Sequence, residues 1–257
     1  MIRVGVFGAS GKMGRTVCDA VASDPDLELA AAVNRVPGFV CGVEIADDPK
    51  AMVDAGVEVA VDFTQPDVVK GNVRFCCEHA IHCVVGTTGL SSDDLDEISG
   101  WTGEASVFVA PNFSIGAVLM MHFARQAAKY YPSCEVVELH HTEKLDAPSG
   151  TALRTAQLVQ DAWDEHGRPP GGEPAPGERE TAVGARGAEV GGVRVHGLRL
   201  KGRIAHQEVL FGAAGEAFTI RHDTLDRSSF MPGVLLAVKA VASRPGLTVG
   251  LEQLLDL

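Results

Sequence analysis

A glycine-rich turn after the first predicted strand constrains the fold of this chain more than any other feature. The segment Gly8-Ala9-Ser10-Gly11-Lys12-Met13-Gly14 follows an apolar run at residues 2–7 and leads into residues 11–23, whose apolar side chains have helical spacing. Glycines allow a tight turn and expose bare backbone beside a helix N-terminus, as a dinucleotide pyrophosphate requires. The G-x-x-G-x-x-G spacing, with Ser10 at the usual second glycine, predicts a dinucleotide-binding turn. The alternative is a tight turn without a ligand.

Predicted strands and helices continue to alternate through the first part of the chain. Further strands are predicted at residues 27–33, 57–63, 82–85 and 106–110, and Pro66 stands where a helix would begin. This alternation predicts an α/β fold with a Rossmann-like, doubly wound parallel sheet.

The second part of the chain follows a different pattern. Its predicted elements are a helix at 114–131, a strand at 135–141, a helix at 149–166, and strands at 191–200, 205–213 and 217–223, whose short connections suggest antiparallel pairing. Residues 167–190 are rich in Gly, Pro and Glu and are expected to form a long surface loop, either a lid or an assembly arm. An apolar helix at about 227–243 is expected to return to the first domain. The prediction is a Rossmann-like domain at 1–113 and 224–257, and an α+β domain with a mixed four-stranded sheet at 114–223.

The composition excludes several classes of function. The 257 residues include 22 Lys and Arg against 34 Asp and Glu, a formal net charge of -12, and 46% are hydrophobic. Such an acidic globular chain is a poor general partner for nucleic acid or an anionic membrane, because binding to phosphates needs clustered cations. The N-terminal residues do not resemble a signal peptide, no apolar run is long enough for a membrane span, and the six cysteines include no C-x-x-C pair. A cytoplasmic protein with reduced thiols is expected.

The residues after the second predicted strand bear on which nucleotide binds. An acidic residue that would hold the ribose hydroxyls of NAD is missing there, and Asn34 and Arg35 occupy its place. Arg35, assisted by Lys12, would suit the 2′-phosphate of NADPH, whereas the alternative is a solvated loop charge. We expect NADPH to be accepted at least as well as NADH.

Two more strand ends are candidates for cofactor contacts. Gly86-Thr87-Thr88-Gly89 and Ala110-Pro111-Asn112-Phe113 each follow a predicted parallel strand, at the edge where such sheets bind ligands. Small residues would let a nicotinamide approach the backbone, and threonine hydroxyls would bond to ribose. Each segment by itself is equally compatible with a plain strand-end turn.

The densest group of reactive side chains lies at residues 138–152. His140 and His141 close a predicted strand and should point to opposite faces, and Lys144 follows in a loop. Ser149-Gly150-Thr151 opens a helix after a proline, an arrangement that binds anions through N–H groups. This positive cluster suits a small dicarboxylate. The alternatives are a polar strand end with Ser149 as a helix cap, or a zinc site, for which further ligands at metal spacing are missing; no metal is expected.

The same segment resembles the E-x-H-H-x-x-K-x-D-A-P-S-G-T-A signature of the dihydrodipicolinate reductase family. The resemblance continues through the glycine turn, Asp62-Phe63-Thr64, residues 86–89, residues 112–116 and residues 186–206. It implies NAD(P)H-dependent reduction of 4-hydroxy-tetrahydrodipicolinate to tetrahydrodipicolinate with loss of water, in lysine and diaminopimelate biosynthesis. It also implies that the second domain binds the substrate and assembles a homotetramer through its sheet.

The resemblance assigns roles to individual residues. His140 and Lys144 match the catalytic pair, with Lys144 as the proton donor. The substrate contacts are His141, Lys144, Gly150 and Thr151, to which we add Ser149. The cofactor contacts are Gly8, Ala9, Ser10, Gly11, Lys12, Met13, Gly86, Thr87, Thr88, Ala110, Pro111, Asn112 and Phe113, to which we add Asn34, Arg35 and Phe63. Asn34 departs from the acidic ribose ligand of many members, so the resemblance leaves the choice of nucleotide open.

Other interpretations stay open at this point. Another amino-acid dehydrogenase would need a different signature in the second domain, and a nucleotide sensor would not need Lys144. The cluster of Cys76, Cys77, His79, His82 and Cys83 is interpreted as buried thiols of the first domain rather than as a metal site. His206 either lines the substrate pocket or forms a cross-strand hydrogen bond.

Overall fold

A computed structural model describes residues 1–168, 177 and 179–257. These residues form two compact units. The first unit contains Met1–Ile115 and Arg227–Leu257, and the second contains Gly116–Asp226. Residues 169–176 and 178 of the loop predicted at residues 167–190, the expected lid or assembly arm, lie outside the described residues. The prediction is wrong for the end of this segment, where Ala188–Val190 forms a strand.

Strands and helices alternate along most of the described chain. In chain order they are β1 (Ile2–Phe7), α1 (Lys12–Ser23), β2 (Leu27–Val33), β3 (Gly38–Val40), β4 (Val43–Ala46), α2 (Lys50–Asp54), β5 (Val59–Asp62), α3 (Pro66–Glu78), β6 (His82–Val85), α4 (Ser92–Trp101), β7 (Val107–Val109), α5 (Ile115–Ala128), β8 (Ser133–His140), α6 (Gly150–Glu165), β9 (Ala188–Val190), β10 (Val193–Arg199), β11 (Ala205–Ala213), β12 (Glu216–Thr224), α7 (Met231–Ala240) and β13 (Leu247–Val249). Short 3₁₀ helices lie at Arg227–Phe230, Val241–Ser243 and Leu251–Leu254.

The first unit contains an eight-stranded sheet in the order β13-β7-β6-β5-β1-β2-β4-β3. All neighbouring strands are parallel except β3 and β4. Strand β5 is buried along its whole length, and so are the three residues of β7, as expected for strands covered on both faces of a parallel sheet. The predicted Rossmann-like α/β fold is confirmed, and α3 begins at Pro66 as expected.

The strands at both edges of this sheet were not predicted from the sequence. Strands β3 and β4 form a hairpin whose turn residues Cys41 and Gly42 have positive φ angles of 47° and 81°. At the other edge, β13 pairs in parallel with β7. These edge strands have only three or four residues, too few for a periodic pattern to be recognised.

The C-terminal helix α7 packs within the first unit. Lys239 Nζ lies 2.9 Å from carboxylate oxygens of both Asp24 and Asp26, just beyond α1. At the other end of α7, a Cβ atom added to Gly233 would lie only 2.1 Å from the carbonyl oxygen of Phe113. The absence of a side chain at Gly233 therefore allows α7 to pack directly against the backbone of the segment that follows β7.

The second unit contains a mixed sheet in the order β12-β11-β8-β10-β9. It has five strands rather than the predicted four, because Ala188–Val190 adds an edge strand antiparallel to β10. The predicted antiparallel pairing of β10 with β11 is wrong: β8 lies between them, parallel to β10 and antiparallel to β11. The Leu200 N–H donates to the His140 carbonyl oxygen at 2.9 Å, so the chain leaving β10 crosses the end of β8 before β11 begins. The antiparallel pairing of β11 with β12 is confirmed.

Helices α5 and α6 supply much of the core of the second unit. Trp163 of α6 is fully buried, and its indole N–H donates to the Tyr131 carbonyl oxygen at 3.0 Å. Residues of both helices and of β8, β10 and β11 form one apolar cluster. Within the described parts of the chain, none of the helices has both the length and the apolar character to cross a bilayer.

Candidate active site

The predicted glycine turn joins β1 to α1. Gly8 has a φ angle of +73°, which other residues rarely adopt, and its carbonyl oxygen accepts a hydrogen bond from the Gly11 N–H at 2.9 Å. A Cβ atom at Gly14 would lie 2.1 Å from the same carbonyl oxygen. Gly11 is the N-cap of α1 and has no side chain to occupy the N–H groups of the first helical turn. Those groups are therefore suited to binding a phosphate.

Asn34 follows β2 and is bonded to the glycine turn. Its Nδ2 donates to the Ser10 hydroxyl at 2.5 Å, and its backbone N–H donates to the Ala46 carbonyl oxygen at 2.9 Å. The neighbouring Arg35 is exposed, and so is Lys12 at the start of α1. The structure therefore anchors the Asn34 side chain within the turn and leaves the two cations at the surface.

A buried carboxylate, which was not among the predicted site residues, organises the end of β5. Asp62 is inaccessible to solvent. Its Oδ1 accepts hydrogen bonds from the N–H and the hydroxyl of Thr64, and its Oδ2 accepts one from Asn72, each at 2.7 Å. Burial raises the pKa of Asp62 above its ordinary value, although these hydrogen bonds oppose the rise. The carboxylate ties the β5–α3 turn to α3.

Phe63, Gly86 and Phe113 lie together at the carboxyl ends of β5, β6 and β7. The ring centroids of Phe63 and Phe113 are 5.8 Å apart, and a Cβ atom at Gly86 would lie 2.1 Å from the Phe63 ring. The Thr87 hydroxyl donates to the Thr64 carbonyl oxygen at 3.1 Å. The structure thus brings these residues to one edge of the sheet. The other predicted cofactor residues after β6 and β7 are Thr88, Ala110, Pro111 and Asn112.

In the second unit, a buried carboxylate holds the predicted catalytic histidine. Glu138 of β8 is inaccessible to solvent, and its Oε2 lies 2.5 Å from His140 Nδ1. Its Oε1 accepts a hydrogen bond from the Ser149 N–H at 3.1 Å. Glu138 therefore joins the end of β8 to the start of α6.

Arg199, at the end of β10, completes this network and was not selected from the sequence. Its Nη1 and Nη2 donate to the two oxygens of Glu138 at 2.8 and 2.9 Å. Nη2 also donates to the Asp146 carbonyl oxygen at 2.7 Å. Burial raises the pKa of Glu138, but the hydrogen bonds from Arg199 and His140 outweigh it, and the pKa lies below its ordinary value. Glu138 is therefore an ionised carboxylate at neutral pH.

The same surroundings also lower the pKa of His140, but here the main cause is burial. Burial lowers the pKa of His140, and the charges of Lys144 and Arg199 lower it further, whereas Glu138 raises it. The net direction is downward, so the neutral imidazole predominates near pH 7. A neutral imidazole beside an ionised carboxylate can accept a proton and return it.

Lys144 lies in the loop between β8 and α6. Its N–H donates to the His141 carbonyl oxygen at 3.2 Å, and its Nζ donates to Asp146 Oδ1 at 2.7 Å. The Lys144 ammonium holds the pKa of Asp146 below its ordinary value. The segment therefore contains the carboxylates of Glu138 and Asp146 as well as its cations. The sequence-based prediction of a positive cluster did not include these carboxylates.

The remaining predicted substrate residues surround the start of α6. The Ser149 hydroxyl accepts a hydrogen bond from the Ala152 N–H at 3.2 Å, so Ser149 is a helix cap, a role that is compatible with both interpretations of this segment. Gly150, the first residue of α6, is exposed, and Thr151 follows it. His141 Nδ1 is shielded from solvent and has no hydrogen-bond partner among the residues that the structure describes.

Two other expectations concern residues outside the candidate site. Cys76 and Cys83 are fully buried in the core of the first unit, as interpreted from the sequence, whereas Cys77 is only partly buried. His206 Nδ1 lies 2.6 Å from Asp223 Oδ1 on the paired strand β12, which is the anticipated cross-strand hydrogen bond. Within residues 1–168, 177 and 179–257, no group of three or more His, Cys, Asp and Glu side chains is arranged to hold a metal ion.

Known proteins match this chain along its whole length. Two family models, described as the N-terminus and the C-terminus of dihydrodipicolinate reductase, match residues 2–113 and 116–255. The 4-hydroxy-tetrahydrodipicolinate reductase of Nocardia farcinica is 54% identical over 259 residues, which cover 100% of this chain and 99% of the relative. The same enzyme of Mycolicibacterium vanbaalenii is 53% identical over 260 residues, which cover 100% of both chains. Among solved structures, a dipicolinate-bound dihydrodipicolinate reductase from Paenisporosarcina sp. TG-14 has a TM-score of 0.87 and 38% identity, covering 98% of this chain and 99% of that one.

Proposed function

Because the chain belongs to the dihydrodipicolinate reductase family, we propose that it reduces 4-hydroxy-tetrahydrodipicolinate to tetrahydrodipicolinate with NAD(P)H. In the balanced reaction the substrate loses water and gains a hydride and a proton. The product is used in lysine and diaminopimelate biosynthesis. The observation that carries the proposal is the segment around Glu138, where His140, Lys144 and the start of α6 come together.

The first unit fits the chemistry of a bound pyridine nucleotide. Residues 8–13 would hold the pyrophosphate, since the start of α1 presents backbone N–H groups and Gly11 has no side chain to cap them. Phe63, residues 86–88 and residues 110–113 would contact the nicotinamide and its ribose at the carboxyl edge of the sheet. When bound, the dihydronicotinamide supplies the hydride that reduces the substrate ring.

Five residues of the second unit are proposed to bind the two carboxylates of the substrate: His141, Lys144, Ser149, Gly150 and Thr151. The unpartnered Nδ1 of His141 supports this assignment, because a shielded nitrogen without a partner is costly unless a ligand bonds to it. Gly150, the exposed first residue of α6, supports it as well, because the helix dipole favours an anion there. The Ser149 hydroxyl accepts from Ala152, so its own O–H is still able to donate to a carboxylate.

Lys144 is the proposed proton donor to the substrate ring, and His140 is its catalytic partner. An ammonium has several N–H donors, and Asp146 accepts from one of them, so others can face a ligand. The low pKa of His140 leaves a neutral imidazole that can take up a proton near neutral pH.

The direct test follows nicotinamide absorbance with purified protein while dihydrodipicolinate synthase generates the substrate. We expect absorbance to fall only when the synthase product is present, and we expect dipicolinate, a stable dicarboxylate, to slow the reaction competitively. A constant absorbance with both NADPH and NADH would reject the proposed activity.

For the nucleotide, we propose that NADPH is used at least as well as NADH. The support is the exposed Arg35 beside Asn34 at the end of β2, where a carboxylate would have repelled a 2′-phosphate. Comparing kcat/KM for the two nucleotides tests this choice. A strong preference for NADH would contradict it without affecting the proposed reaction.

The proposed setting is the cytoplasm, and the proposed assembly is a homotetramer formed through the sheet of the second unit. The six cysteines are free thiols, which suits a reducing compartment. Strand β12 lies at the edge of that sheet and leaves most of its residues exposed, which suits an interface that would cover it. Light scattering should give four times the protomer mass of 27.0 kDa, and a monomer would reject the assembly.

A further inference from the structure

The ion pair between Glu138 and Arg199 is largely buried, and its contribution to the free energy of unfolding does not explain why it lies there. The Glu138 side chain has no exposed surface, and that of Arg199 is 19% exposed. Removing both charges from water costs about as much as their attraction returns, so a buried pair contributes little net stability. A pair maintained beside His140 and Lys144 therefore calls for another role.

Glu138 determines which nitrogen of His140 carries the proton. An ionised carboxylate only accepts hydrogen bonds, so the 2.5 Å contact requires a hydrogen on His140 Nδ1. In the neutral ring, Nε2 then presents its lone pair. An amide at position 138 could donate as well as accept, and it would no longer select one tautomer.

Arg199 fastens the loop that carries Lys144. It binds both oxygens of Glu138 and the Asp146 carbonyl oxygen, and the Asp146 side chain in turn holds the Lys144 ammonium. The Ser149 N–H binds Glu138 at the far end of the loop. Arg199 also lies directly opposite His140 in the parallel pairing of β10 with β8. The loop is thus tied to the end of β8 at two points.

We propose that Glu138 and Arg199 are a positioning pair, which holds His140 in its Nδ1–H tautomer and holds the Lys144 loop in place. The consequence for turnover rests on the proposed function. The charged groups facing His140 are Glu138 on its own strand, Arg199 on β10 and Lys144 in the loop, while β11 places Ala205 opposite it.

The test compares Glu138→Gln with the double variant Glu138→Gln/Arg199→Gln. The single variant leaves the Arg199 charge buried without its partner, so we expect a lower melting temperature and a kcat at least about tenfold lower. The double variant removes both charges, so we expect the melting temperature to recover while kcat stays low. The KM for the substrate should change less than kcat in both variants.

A matched control uses the exposed pair of Arg125 and Glu165 in the same unit. Glu165→Gln and the double variant Glu165→Gln/Arg125→Gln should keep the wild-type kcat. If kcat recovers together with stability in the Glu138/Arg199 double variant, the pair is merely structural and the proposal is wrong.

The pH profile and the ring nitrogens give readouts that a merely structural role would not move. In Glu138→Gln, the limb of the pH profile that His140 governs should shift to lower pH, because the carboxylate that raises the pKa of His140 is gone. Nitrogen NMR of labelled histidine should show the Nδ1–H tautomer in the unaltered protein and a mixture in the variant. An Nε2–H tautomer in the unaltered protein would overturn the proposal even if the chain had no reductase activity.

Discussion

Replacing Gly14 by alanine should distort the glycine turn for a purely steric reason. Gly14 lies inside α1, where alanine is otherwise favoured. A Cβ atom at this position would lie 2.1 Å from the Gly8 carbonyl oxygen, 2.7 Å from the Gly8 carbonyl carbon and 2.9 Å from Ala9 Cα. All three are backbone atoms, so no rotation of a side chain can relieve the clash. Either α1 or the turn must move.

A matched substitution in the same unit separates this clash from the general effect of alanine. Gly71 lies inside α3, is exposed, and has nothing within 4 Å of an added Cβ atom. Gly71→Ala should stabilise by about 0.5–1 kcal/mol through helix propensity. Gly14→Ala gains the same term but loses about 3 kcal/mol to overpacking, the upper end of the usual range, since backbone meets backbone. The net destabilisation of about 2 kcal/mol corresponds to a melting temperature about 4–8 °C lower.

Thermal unfolding by circular dichroism and calorimetric titration with NADPH measure both consequences. Gly14→Ala should unfold at a lower temperature and bind NADPH more weakly, because the first N–H groups of α1 move with the turn. Gly71→Ala should unfold at or above the wild-type temperature and bind NADPH normally. The steric reasoning is refuted if Gly14→Ala matches the wild type in both measurements.

Three further predictions follow from single side chains. Lys144→Ala should lower kcat by about 10²-fold or more and leave NADPH binding intact, as steady-state kinetics and calorimetry would show; unchanged turnover would remove Lys144 from the mechanism. Arg35→Ala should raise the KM for NADPH about tenfold and leave the KM for NADH unchanged, with the exposed Arg74→Ala as the control; equal effects on both nucleotides would contradict a 2′-phosphate contact. The pKa of Asp223 falls from 3.8 to about 2 because Arg221 bonds to it, so its stabilisation is complete above pH 3.8 and is lost as the pH falls to about 2. Urea unfolding should therefore show a deficit for Asp223→Asn at pH 5 that shrinks toward pH 2, and a deficit independent of pH would count against this ion pair.

The core of the first unit was predictable because each of its elements carries its own local signal. β1, β2 and β6 are apolar runs bounded by turn residues, and Pro66 marks the start of α3. The hairpin of β3 and β4 carries no such signal, since its strands are very short and Phe39 is exposed. Its pairing depends on the edge that β2 offers, which is a property of the folded sheet.

The candidate site likewise contains residues that are close together in the sequence and contacts that only the folded chain brings together. His140, Lys144 and Ser149 lie within ten residues of one another, so their proximity was visible in the sequence. Asp62 was visible as an acidic residue ending an apolar strand, but its partner Asn72 lies ten residues away on α3. Asp62 can tie the β5–α3 turn to α3 only because the folded chain places Asn72 of α3 next to it.

The error in strand order and the failure to find Arg199 have one cause. A short connection between two predicted strands normally indicates a hairpin, so β10 was expected beside β11. In that arrangement Arg199 has no place next to Glu138, which precedes it by 61 residues. The actual sheet inserts β8 between the two strands and sets Arg199 directly opposite His140. The second-unit residues that are proposed to contact the substrate lie in one local segment of the sequence. Arg199, which is proposed to hold them in place, is distant in sequence and lies beside them only because β10 pairs with β8. In this chain, therefore, the wrong prediction of the strand order also excluded Arg199 from the predicted site.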